Sequence, residues 1–143
     1  MTAVGPPDAP RASERAEDRR VLISQRMHAI APGRQAGTWV AAGAINDAGI
    51  ATATSVVVEH SREKALVKAT HVLTSVDGTL TLESRTWLRP FPLPAVPRAI
   101  VEGAWEQVAG TGVYEELNAR GRLHATVDQT TREITIVRDG SAV

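Results

Sequence analysis

From Val21 onward the chain is cut at short intervals by glycine, asparagine, aspartate and proline, and the runs between the cuts are either apolar or alternate apolar with polar. That spacing suits strands, because a helix needs a longer uninterrupted stretch with apolar positions three and four apart. Strands are predicted near Val21 to Ala29, Gly37 to Ile45, Ile50 to His60, Ala65 to Val76, Thr79 to Leu88, Ile100 to Val108, Arg122 to Asp128 and Glu133 to Arg138. Asn46-Asp47-Ala48-Gly49 and Asp77-Gly78 supply turn residues that tolerate positive φ, and Asp128 to Thr131 is short and polar, so the connections read as antiparallel hairpins. Only Ser13 to Arg20 and Val113 to Asn118 have the composition for a helical turn or two. Eight short antiparallel strands predict an all-β, closed, eight-stranded barrel, with a sandwich as the rival; closure removes the edges an open sheet would expose.

At 143 residues the chain is the size of one domain, and its 43% hydrophobic content supplies an ordinary core. Residues 1–20 are rich in Pro, Ala, Gly and charge and read as a disordered tail; residues 21–139 form the barrel domain and 140–143 a short C-terminal tail. No secretory signal pattern and no membrane-length apolar window are present, so a cytoplasmic location is expected. The absence of cysteine removes disulfides, thiolate metal sites and cysteine nucleophiles. Sixteen basic against sixteen acidic residues give no general field for phosphates or anionic lipid, and 3% aromatic content leaves few stacking platforms, which argues against nucleic-acid and membrane partners.

Alternation assigns faces. Leu123, Ala125, Val127, Ile134 and Ile136 point inward, as do His71 and its neighbours Val67, Ala69 and Leu73; Leu80, Leu82, Ser84, Thr86 and Leu88 also face in, sending Glu83, Arg85 and Trp87 out. For Ile50 to His60 two sets compete, one containing Ala51, Ala53, Ser55, Val57 and Glu59, the other Ile50, Thr52, Thr54, Val56, Val58 and His60. The small residues Gly37, Ala41, Ala42, Gly43, Ala44, Ala51, Ala53 and Ser55 suggest a lumen with unfilled volume, large enough for a small ligand; tight coiling of the sheet is the other explanation.

Gly103 to Arg122 reads GAWEQVAGTGVYEELNARGR, and this segment resembles the Gly-x-Trp and Gly-Thr-Gly-x-Tyr signature of the allene oxide cyclase-like barrels, the superfamily that includes dirigent proteins. Gly37 to Gly49, GTWVAAGAINDAG, is similar to an earlier hairpin of bacterial members, and the resemblance spans roughly residues 21 to 139. In physical terms Gly110, Thr111 and Gly112 make a tight reversal, and Tyr114 and Leu117 can cap a barrel end. The acidic, tyrosine and arginine positions that serve catalysis in that superfamily do not map onto this chain, so no catalytic assignment carries over. The Gly37-Thr38-Trp39 run also matches the lipocalin G-x-W, without the helix and cysteines that usually accompany it.

The resemblance implies a cofactor-independent isomerase- or cyclase-like enzyme acting on a hydrophobic small molecule, in secondary metabolism, on a barrel that assembles as a homodimer or homotrimer. A non-catalytic small-molecule-binding barrel and an oligomeric interaction protein with a filled lumen stay open. His71, an imidazole on an apolar face, and Glu59 are the candidate catalytic residues; the alternatives are a core histidine and a solvated strand-end carboxylate. Trp39, Trp105, Gln107, Tyr114 and Phe91 are the candidate substrate-binding residues, with Phe91 on a segment, Arg89 to Arg98, whose four prolines read as a flap over the barrel mouth, a partner-binding strip or a stiff crossover. The four histidines are isolated, and no metal or cofactor motif appears.

Overall fold

The computed structural model describes residues 19–90, 98–128 and 130–142. Eight strands follow one another: β1 (Arg20–Ala31), β2 (Arg34–Gly43), β3 (Asp47–His60), β4 (Ala65–Ser75), β5 (Gly78–Pro90), β6 (Arg98–Gly110), β7 (Ala119–Asp128) and β8 (Glu133–Ala142). Each pairs antiparallel with its neighbour in sequence, and β8 returns to β1 from Arg20 opposite Ser141 to His28 opposite Glu133, closing the sheet. The result is the eight-stranded antiparallel barrel that the turn spacing predicts. Among the described residues no helix is long and apolar enough to cross a membrane.

The strands run past several of the expected bounds. Residues 140–142, expected as a tail, are the end of β8: Ala142 is buried and its amide donates to the Arg19 carbonyl at 2.7 Å. Residues 1–18 and 143 lie outside the described residues, as do 91–97, which carry Phe91 and most of the proline-rich run.

The two ends of the barrel differ. At the end where β2–β3, β4–β5 and β6–β7 are joined, the lumen is filled by Val21, Ile23, Trp39, Leu73, Leu80, Leu82 and Trp105, packed against the small side chains of Ala41, Ala51 and Ala119 and covered by Ile45 and Tyr114. Leu73, Leu80 and Leu82 are fully buried, each contributing roughly 1.5–3 kcal/mol relative to exposure. Ala42, Gly43 and Ala44 are exposed, so the alanines and glycines of β2 and β3 do not hollow the barrel. They either face solvent or make room for large residues from opposite strands.

The Gly-Thr-Gly segment is structural, as its composition implies. Gly112 opens a single 3-10 turn ending at Tyr114 and adopts φ 62°, while Gly78 in the β4–β5 turn adopts φ 153°. The two turns press backbone against backbone: Thr111 N donates to Thr79 O at 3.0 Å, Val113 N to Asp77 O at 3.1 Å, and the Thr79 and Thr111 hydroxyls meet at 2.7 Å. A Cβ on Gly112 would lie 2.2 Å from the Asp77 oxygen, and one on Gly78 would lie 2.2 Å from the Thr111 oxygen. Only glycine fits such a crossing.

Candidate functional site

At the other end, where β3–β4, β5–β6 and β7–β8 are joined, the lumen holds a cavity of about 260 Å³. Its wall is mostly apolar, with Met27, Val67, Leu88, Val101, Ile134 and Ile136 among the lining residues; Gln35, Ser55, His71, Ser84 and Thr86 supply the polar groups. Alternation puts these residues there: β4 and β5 turn every second side chain inward, so His71 and Ser84 come to lie deepest, six residues from the mouth end of their strands. A larger depression, about 560 Å³, lies on the outer face of β5 to β8 among the exposed Arg85, Glu106, Arg120 and Arg122. It is shallow and its charges are solvated, whereas the lumen cavity is enclosed and backed by buried polar groups, so the lumen is the better candidate.

His71 is 5% exposed, and Gln25 and Arg138 behind it are fully buried. Gln25 Oε1 accepts from Arg138 Nε at 2.7 Å, and Gln25 Nε2 lies 3.0 Å from His71 Nδ1. A guanidinium has donors only, so the glutamine must turn its oxygen toward Arg138 and its amide toward the imidazole. Nδ1 therefore accepts, and in the neutral ring the proton sits on Nε2. Burial holds His71 down to about 3, with the Arg138 charge adding to the effect, so the imidazole is neutral at physiological pH and offers an N–H to the cavity. Burial also lowers Arg138 to about 9, which still leaves a cation at neutral pH. The guanidinium lies 5.9 Å from the centre of the Trp105 ring, and its two terminal nitrogens are buried without a hydrogen-bond partner.

Of the sequence-predicted site residues, His71 alone lines the cavity. Glu59 is exposed: the register slips between Val57 and Glu59, and this bulge breaks the alternation that would have carried the carboxylate inward. Trp39 and Trp105 are buried in the filled half, their indole N–H groups donating to Thr74 O at 3.1 Å and Arg122 O at 2.9 Å. Gln107 donates to Tyr114 O at 3.2 Å and so ties β6 to the loop that closes the far end. Tyr114 sits at that closed end, opposite the mouth, where its hydroxyl donates to Asp47 Oδ2; Ser75 Oγ donates to the same oxygen at 2.6 Å. These bonds hold the Asp47 carboxyl below its ordinary range, that from Ser75 most strongly, while burial first and the neighbouring carboxylate second push the phenol up. Phe91 lies outside the described residues. Glu83, Arg85 and Trp87 face outward as expected, with Lys64 Nζ 4.3 Å from the Trp87 ring centre.

Gln25 and Arg138 are the residues that composition does not reveal. The signal was alternation itself, since Arg138 follows Ile134 and Ile136 at period two and Gln25 lies between Ile23 and Met27. Among the described residues no group of three or more His, Asp or Glu side chains is gathered as metal ligands would be. Comparison with protein-family models, with curated proteins and with solved structures finds no match for this chain.

Proposed function

We propose that this barrel is a binding module for a small, mostly apolar molecule held in the lumen. The observation that carries it is the enclosed 260 Å³ cavity, apolar on its walls and ending in an imidazole whose tautomer is set by a buried Arg138–Gln25 relay. Scaling from the roughly 150 Å³ apolar cavity that holds benzene, the guest has on the order of ten non-hydrogen atoms. The Nε2–H of His71 gives it one directional contact, to an oxygen of the guest. The isomerase or cyclase reading needs a group that moves a proton near neutral pH. His71 is held neutral and Glu59 lies in solvent, which favours binding without conversion. The barrel fits the architecture that the allene oxide cyclase-like resemblance implies, and kinship with that superfamily belongs to the same proposal.

Native mass spectrometry with a panel of neutral and anionic monocyclic compounds tests the reading. The expected result is a one-to-one adduct with unaltered mass on release, lost in Ala125→Phe, which adds a ring to the cavity wall. Absence of any adduct, or adducts that Ala125→Phe leaves intact, would overturn it.

A further inference from the structure

The Arg138 guanidinium is the feature of the lumen that packing leaves unexplained. It is fully buried, its single hydrogen bond is the one from Nε to Gln25, and its other two nitrogens have no partner. A buried cation is costly unless an anion or a full set of acceptors compensates it. No acidic residue lines the cavity, and Asp47 is engaged at the closed end by Ser75 and Tyr114. The chain thus places one uncompensated positive charge beneath an apolar chamber and relays it through Gln25 to the donor at the chamber floor.

We propose that the lumen takes its guest as an anion: a compact, mostly apolar carboxylic acid in ionised form, seated with its carboxylate on the floor formed by His71 and Ser84 and its apolar body toward the mouth. The inference rests on the lumen-binding reading and adds the charge and orientation of the guest. Arg138 acts here as a positioning residue through Gln25. Its field already reaches the imidazole, where it adds to the effect of burial, and the same field stabilises a negative charge placed next to that ring. The neutral Nε2–H supplies the hydrogen bond, and the carboxylate supplies the counter-charge the fold lacks.

Calorimetric titration of the full chain at pH 7.5 with 4-methylbenzoate, 4-methylbenzamide and 4-methylbenzylammonium decides it, since the three share a body and differ in head-group charge. The benzoate is expected to bind at least tenfold more tightly than the amide, and the ammonium not at all. Arg138→Met is expected to bind benzoate and amide within about twofold of each other. Gln25→Glu, which sets a carboxylate against the guanidinium and keeps the arginine, is expected to lose the preference too, so the test does not depend on one variant folding. Equal binding of benzoate and amide by the wild type would overturn the anion assignment and leave lumen binding standing. A preference that survives in Arg138→Met would remove Arg138 as its source. Binding of none of the three would remove both proposals.

Discussion

Gln25 Nε2 stands 3.0 Å from His71 Nδ1 while the other end of the same amide, Oε1, stands 2.7 Å from Arg138 Nε. The arginine can only donate, so the orientation of the glutamine and the tautomer of the histidine are both dictated from the far side of the relay. Nitrogen-15 NMR should therefore find His71 as the Nε2–H tautomer, with no titration between pH 8 and pH 5. A midpoint near 6.5, or a proton on Nδ1, would show that the relay is not formed in solution. In Gln25→Glu the acceptor facing Nδ1 becomes a carboxylate, and the proton is expected to move to Nδ1.

The depressed His71 also makes a statement about acid stability. The folded ring takes a proton only near pH 3 and the unfolded one near 6.5, so the unfolded chain binds more protons between those values. The contribution is fully present above about pH 6.5 and is lost as the pH falls toward 3. Urea unfolding should show the wild type losing about 2 kcal/mol between pH 7 and pH 5 from this group, at close to 1.4 kcal/mol per pH unit. In His71→Gln that slope should fall by more than half, whatever the variant's stability at pH 7. Asp47 acts lower on the scale: its carboxyl is depressed, so its contribution is present above its ordinary value of 3.8 and is lost only below that. An acid limb unchanged in His71→Gln would mean that the ring titrates in the folded barrel.

The barrel itself was readable because its turns are punctuated and its faces alternate. Leu123, Ala125, Ile136 and His71 fall where period two puts them. On β3 the rule misleads, since Ile50, Val56 and Val58 are exposed while the smaller Ala51 and Ala53 are buried. The reason lies on other strands: Trp39, Leu73 and Leu80 already fill that half of the lumen, and β3 can contribute only methyl groups there. Glu59 was obscured by a bulge, which inserts one residue and reverses parity. Arg138 presents the opposite difficulty. Alternation places it inside, and its charge argues for the surface, and only the closed geometry of Gln25, Trp105 and His71 around it shows which wins. Where the cavity lies depends on contacts across the axis between strands far apart in sequence, and no local pattern carries that.

The turn crossing at the closed end predicts a large effect from a small substitution. Gly112→Ala adds a Cβ 2.2 Å from the Asp77 oxygen on a residue with φ 62°. The left-handed conformation alone costs roughly 1–2 kcal/mol for a residue with a side chain, and the backbone clash adds to it. Thermal unfolding should show a melting temperature several degrees lower, while Gly43→Ala, also at positive φ but on an exposed hairpin, should be compared as the case where strain acts without the Gly-Thr-Gly crossing. Equal losses in the two would mean that the crossing adds nothing beyond local strain.

Tyr114 separates the closed end from the binding end. Tyr114→Phe removes the hydroxyl that donates to Asp47 Oδ2 and leaves that oxygen its bond from Ser75 and Oδ1 its bond from Ala48 N at 2.8 Å. The ring still covers the filled half of the lumen, so the loss should be confined to one hydrogen bond to a charged acceptor, about 1–2 kcal/mol by denaturant unfolding. Because the cavity opens at the opposite end and Tyr114 does not line it, uptake of 4-methylbenzoate should be unchanged within twofold when measured well below the melting temperature. A tenfold loss of affinity with intact folding would place the phenol in the binding site and the guest deeper than His71, in the half of the barrel that Trp39, Leu73 and Leu82 now occupy.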